Sequence, residues 1–124
     1  MADHHHLLLL VDDDADSRDA LATLLTAERF RVATATDGRD ALDQLAKGAT
    51  PCVILLDVNM PGMDGWTFRK VQAGDSQVAD IPVIALTGDS HLEEKARALR
   101  VRDYLQKPVD PDKLLALIAL HCHH

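Results

Sequence analysis

Apolar runs recur along the chain, and several stop abruptly on a polar residue. Leu7 to Val11 is uninterrupted and gives way to Asp12-Asp13-Asp14. Cys52-Val53-Ile54-Leu55-Leu56 stops at Asp57, and Ile81-Pro82-Val83-Ile84-Ala85-Leu86 stops at Thr87. Continuous runs of this length predict strands buried on both faces, as in a parallel sheet. Pro82 is tolerated near the start of its strand, where its missing N–H matters least. Arg31 to Thr36 alternates and carries Val32, Thr34 and Thr36, which predicts a second strand, and Asp103 to Gln106 predicts a short fifth.

Between these runs the apolar spacing changes to that of a helix. Leu21, Leu24, Leu25 and Glu28 mark a helix from about Ala15 to Glu28, capped by Asp14 or Asp16. Ala41, Leu42, Leu45 and Ala46 mark a second, which Gly48 closes. A third carries Trp66, Phe68 and Val71, and a polar loop, Gly74 to Asp80, follows it. A fourth, capped by Ser90 or Asp89, carries Leu92, Ala96 and Leu99. Asp110 caps the last, with Pro111 at its first position and Leu114, Leu117 and Ile118 facing inward. Five strands alternating with five helices predict a single doubly wound α/β domain with a parallel sheet.

Composition narrows the function. The chain has 124 residues, which suits one domain and is too short for two. Its net charge of −7 argues against direct binding to nucleic acid. Leu7 to Val11 is too short to cross a membrane and lacks signal-peptide flanks, so a cytoplasmic protein of bacterial style is expected. The histidines at residues 4–6, 121, 123 and 124 make residues 1–6 and 121–124 read as loose, tag-like ends. Cys52 reads as a buried reduced thiol, since Cys52 and Cys122 show no metal spacing.

Right-handed crossovers make every strand-to-helix loop leave the same sheet edge. Asp12, Asp13, Asp57, Thr87 and Lys107 are therefore expected together, although the sequence scatters them. Singly, each has a plainer reading: a helix cap, a turn former, a surface lysine. Their coincidence at one edge outweighs those readings. Carboxylates crowded at one site repel, and a divalent cation relieves that; hard oxygen donors suit Mg²⁺ (or Mn²⁺). A carboxylate beside such an ion can attack phosphorus and become an aspartyl phosphate, with Lys107 and Thr87 stabilising the phosphoryl oxygens.

Four segments carry a resemblance: Leu10-Val11-Asp12-Asp13-Asp14, Leu56-Asp57-Val58-Asn59-Met60-Pro61-Gly62-Met63-Asp64-Gly65, Leu86-Thr87-Gly88 and Tyr104-Leu105-Gln106-Lys107-Pro108. Together they resemble the receiver domain of two-component response regulators, of the chemotaxis-regulator type, over essentially all of residues 1–124. The resemblance implies a flavodoxin-like (βα)5 fold with strand order 2-1-3-4-5. It implies that Asp57 accepts a phosphoryl group from a sensor histidine kinase or phosphotransfer protein. Mg²⁺ would be held by Asp12 or Asp13 (Asp13 the better candidate for direct contact), Asp57 and the backbone carbonyl of Asn59. Lys107 would pair with Asp57 and then with its phosphate, and the Lys107-Pro108 bond would be cis. Thr87 and Tyr104 would form the switch, and Asn59 and Asp89 would set the lifetime of the phosphate. The chain would be no enzyme toward other substrates, catalysing only its own phosphorylation and dephosphorylation.

The signal would leave through the fourth helix, fifth strand and last helix, to a downstream protein or a homodimer partner. The last helix is apolar on more than one face, with Leu115, Ala119 and Leu120 beside the inward residues. Where the family has a small Gly-Ala pair before Tyr104, this chain has Arg100-Val101 and then Arg102-Asp103, which implies a reshaped loop. Met1 favours a true start, and a stand-alone regulator and a piece of a larger one are both compatible with the sequence. The competing reading is a Mg²⁺-dependent phosphatase of the haloacid dehalogenase type with Asp12 as nucleophile, but Asp16 stands where that motif wants Thr or Val. An inert acidic interaction domain is the third.

Overall fold

The computed structural model describes residues 7–57, 70–72, 74–75, 79–88, 101 and 103–121. Five parallel strands form one sheet: β1 (Leu7–Val11), β2 (Arg31–Ala35), β3 (Val53–Asp57), β4 (Val83–Thr87) and β5 (Asp103–Gln106), in the order β2-β1-β3-β4-β5. Helices α1 (Ala15–Ala27) and α2 (Gly38–Ala46) follow β1 and β2, and the last helix is Pro111–His121. Residues 70–72 are helical. The expected fourth helix, most of the third, Trp66, Phe68 and Arg102 lie outside the described residues.

The uninterrupted apolar runs are central strands because both faces of the sheet are covered. Leu9, Val11, Ile54, Leu56, Val83 and Ala85 join Ala41 and Leu45 of α2 in one buried cluster. The alternate residues Leu8, Leu10, Val53, Leu55, Ile84 and Leu86 join Leu21 and Leu25 of α1 and Leu114 and Ile118 of the last helix on the other face. β2 is an edge strand, which explains its alternating pattern.

The ends of the elements follow side-chain chemistry. Asp14 caps α1 and accepts from the Asp16 amide at 3.3 Å. Asp37 caps α2 and accepts from the Asp40 amide at 2.8 Å, while the Asp40 carboxylate reaches back to the Thr36 amide at 3.0 Å. That bond draws Thr36 out of the ladder, so β2 ends one residue earlier than its alternation predicts. Pro82 has no amide to give, and β4 opens at Val83, although the Pro82 carbonyl still accepts from Ile54 at 2.9 Å. Gly48 closes α2 at φ +100°. The equivalent turn after α1 puts Arg29 at φ 70°, and the Phe30 amide closes it on the Leu25 carbonyl at 3.1 Å. A non-glycine residue there costs about 1 kcal/mol, and the sequence carries no sign of it.

Two expectations, about His121 and Cys52, change. His121 does not begin a loose end: it closes the last helix, and its Nε2 lies 2.8 Å from the Asp103 carboxylate. Cys52 is disulfide-bonded rather than reduced. Residues 1–6 and 122–124 lie outside the described residues.

Candidate functional site

The strand registers decide which residues meet. Val11 pairs with Leu56, so Asp12 lies beside Asp57, one step past both partners. Asp57 pairs with Leu86, which brings Thr87 one step beyond it. Thr87 pairs with Gln106, and Lys107 comes next, its amide still donating to the Thr87 carbonyl at 2.8 Å. Alternation then chooses the face. Asp12 continues the series Leu8 and Leu10, Asp57 continues Val53 and Leu55, and Lys107 follows Leu105, all on the α1 side of the sheet.

Three charged groups therefore converge. The Lys107 ammonium donates to Asp12 Oδ2 at 2.9 Å and to Asp57 Oδ2 at 3.3 Å. Asp12 is fully buried, Asp57 is 7% exposed, and Thr87 is buried at the end of β4. Asp13 is exposed at the rim, yet the carboxylate oxygens of Asp12, Asp13 and Asp57 all lie within 4.8 Å of one another. The Lys107–Pro108 peptide is cis. Tyr104, in the neighbouring strand, is 39% exposed. Asn59 and Asp89 lie outside the described residues.

Electrostatics follow the same geometry. Burial pushes the Asp12 carboxyl up, but donation from Lys107, the Asp14 amide and the Ser17 hydroxyl outweighs it and holds the group below its ordinary value. Burial likewise pushes Lys107 down, and the two carboxylates outweigh that and hold it above its ordinary value. One ammonium beside three carboxylates leaves a net negative site of hard oxygen donors, which fits a small divalent cation such as Mg²⁺ or Mn²⁺.

Two participants escaped the sequence reading. Once Asp14 caps α1, Ser17 and Arg18 occupy the first turn, and side chains there tilt back toward the helix start. Ser17 bonds the Asp12 carboxylate, and Arg18 Nη1 donates to the Asp12 carbonyl at 2.9 Å. Between them they hold the acidic loop from both sides. The cap was the signal that could have found them. Arg18→Ala is expected to weaken divalent-cation binding about tenfold, the usual effect of freeing a ligand's supporting partner. Calorimetric titration with Mg²⁺ checks this; unchanged affinity would reduce Arg18 to a surface residue.

Known proteins resemble this chain over most of its length. The profile of the response regulator receiver domain matches residues 8–119. The chain is 38% identical over 113 residues to the response regulator PleD of Caulobacter vibrioides, covering 90% of this chain and 25% of that protein. It is 38% identical over 117 residues to the sensor histidine kinase RcsC of Salmonella typhi, covering 93% of this chain and 12% of that one. It thus spans a small part of both proteins. The solved structure of the Vibrio cholerae chemotaxis protein CheY4 superposes with a TM-score of 0.86 at 34% identity, covering 95% of this chain and 99% of that one.

Proposed function

Because the chain belongs to the response regulator receiver domain family, the phosphoacceptor modules of two-component signalling, we propose that Asp57 is its phosphoacceptor. The observation that carries this is the Lys107 ammonium spanning Asp12 and Asp57 at 2.9 and 3.3 Å, with the Asp13 carboxylate beside them. Asp57 supplies the nucleophilic oxygen, and its small exposure leaves an opening for a phosphodonor. Lys107 orients that carboxylate and then neutralises the phosphoryl oxygens, and the Thr87 hydroxyl takes up the phosphate from the end of β4. Asp12, Asp13, Asp57 and the Asn59 carbonyl would hold Mg²⁺ or Mn²⁺, which supplies charge neutralisation at the phosphoryl group when bound.

The donor is a sensor histidine kinase or a phosphotransfer protein, in the cytoplasm. The chain catalyses only its own phosphorylation and dephosphorylation. Thr87 and Tyr104 act as the switch: the hydroxyl moves to the phosphate and the ring turns inward from its exposed position. The signal leaves through the segment before Tyr104, β5 and the last helix, toward a downstream protein or a second copy. Leu120 is 61% exposed on that helix. The phosphatase reading with Asp12 as nucleophile finds no support, because Asp12 is buried and engaged by Lys107, Ser17 and the Asp14 amide. Incubation with acetyl phosphate and Mg²⁺, followed by intact-mass measurement, tests the function: one phosphoryl group is expected, with no turnover of phosphate esters.

Asn59 and Asp89, two residues beyond Asp57 and Thr87 in the sequence, set the lifetime of that group, since polar side chains admit an attacking water more readily than bulky apolar ones. Replacing both with bulky apolar residues (Asn59→Met with Asp89→Leu) is expected to lengthen the phosphate half-life about tenfold or more. Loss of radiolabel in Mg²⁺ measures it; a wild-type half-life of many hours would already contradict the idea.

A further inference from the structure

β2 is the outermost strand on its side of the sheet, so among the described residues one row of its backbone groups faces no other strand. Such a row is a template on which another chain can add a strand. Its members follow from the opposite row. The Ala35 carbonyl accepts from the Asp12 amide at 3.1 Å, on the β1 side. The amide and carbonyl of one residue point the same way, and the direction alternates along a strand. Val32, Thr34 and Thr36 therefore turn theirs to the free edge.

Two side chains of α2 reach into that row. Gln44 Nε2 donates to the Thr34 carbonyl at 2.8 Å, and Asp40 Oδ2 accepts from the Thr36 amide at 3.0 Å. One donor and one acceptor thus stand where an added strand would place its own amide and carbonyl. They also hold each other, one helical turn apart, with Gln44 Nε2 3.4 Å from Asp40 Oδ1. The Asp40 bond by itself would be no more than the cap of α2. Gln44 has no part in capping: it sits inside the helix and reaches back across ten residues to the strand.

We infer that Asp40 and Gln44 form an intramolecular clasp that closes the free edge of β2 to strand addition by a second copy of this chain. A second copy is the occupant that this row fits, because it is self-complementary. About a two-fold axis two β2 strands run antiparallel, and each offers the donors and acceptors the other requires. β2 has only five residues, so it turns few groups outward, and the clasp takes those toward its carboxyl end. Pairing must therefore break the clasp in both copies. This edge lies at the opposite side of the sheet from β5, so it is separate from the surface through which the signal leaves. It borders the acidic site instead, since the last carbonyl of β2 holds the Asp12 amide.

The test is sedimentation equilibrium on the full chain, unphosphorylated and with chelator present. The wild type is expected to remain a monomer. Asp40→Ala with Gln44→Ala should dimerise, its association constant raised by roughly two orders of magnitude, because two hydrogen bonds in each copy no longer have to be broken. Gln44→Ala alone keeps the cap and favours the helix, and should gain about tenfold. Asp40→Asn keeps an acceptor for the Thr36 amide and should stay monomeric. Thr34→Pro, added to the double variant, deletes an outward amide and should return it to monomer. Circular dichroism establishes that each variant is folded; where the double variant is not, Gln44→Ala decides. Folded variants that all stay monomeric, or association that Thr34→Pro leaves unchanged, would overturn the inference. So would a wild-type chain that dimerises as tightly as the double variant.

Discussion

Asp57→Asn is expected to take up no phosphate from acetyl phosphate, where the wild-type chain takes up one. The carboxylate oxygen of Asp57 must attack phosphorus and expel acetate, and a carboxamide is too poor a nucleophile to do so. The change keeps the size of the side chain, so the packing around the end of β3, where Val53 to Leu56 are fully buried, is preserved. It also removes one of three mutually repelling carboxylates and leaves Lys107 paired with Asp12 at 2.9 Å. The variant should therefore fold as well as the wild type or slightly better. Intact mass before and after incubation with the phosphodonor and Mg²⁺ reads the first effect, and thermal unfolding reads the second. Labelling of the variant at the wild-type rate would remove Asp57 from its role. Loss of labelling in an Asp12→Asn variant would not separate the readings alone; turnover of a phosphate ester that survives Asp57→Asn and fails with Asp12→Asn would favour a phosphatase.

Lys107→Met should slow phosphorylation by roughly two to three orders of magnitude, the scale of losing one preorganised donor to a developing oxyanion. Methionine keeps an unbranched stem of similar length, so the loss isolates the ammonium. A second effect appears in chelated protein at neutral pH. Without Lys107 the buried Asp12 carboxylate keeps its burial cost but loses its principal donor, and the variant should be less stable than the wild type. The pH dependence has a definite sign. Asp12 is held below its ordinary 3.8, so its pairing contributes stability above that pH and loses it as the pH falls through the folded value. Lys107 is held above its ordinary 10.5, so its contribution is present below that pH and is lost as the pH rises through the folded value. The gap between wild type and variant should thus persist from pH 3.8 to about 10.5 and narrow below 3.8, as the pH falls toward the folded value of Asp12. Urea unfolding across that range, with chelator present, checks it. A gap that does not change with pH would mean that Lys107 contributes by packing alone.

Local pattern made much of this protein legible. The unbroken runs Leu7 to Val11 and Val53 to Leu56 could only be central strands, and their lengths put Asp12 and Asp57 at the strand ends. Capping chemistry at Asp14 and Asp37 located the starts of α1 and α2. Errors fell where a long-range or conformational preference overrode the local one. Thr36 looks like a strand residue until Asp40 takes its amide. Arg29 has no local preference for a left-handed turn, and takes it because Phe30 must join the core beneath α1. Arg18 and Ser17 were invisible because their partner is a loop, which periodicity does not describe.

The sequence by itself determined which of the described segments are strands and helices, which of the strands are central, and that the polar residues ending the strands share an edge. Hydrophobic period and strand chirality act within a few residues or one crossover, so they can be read from a single chain. The tertiary structure alone decided three further partners: Lys107 with Asp12 across 95 residues, His121 with Asp103, and a disulfide at Cys52. Those depend on strand register and on where the last helix lands against the sheet, and both are settled by packing between distant segments.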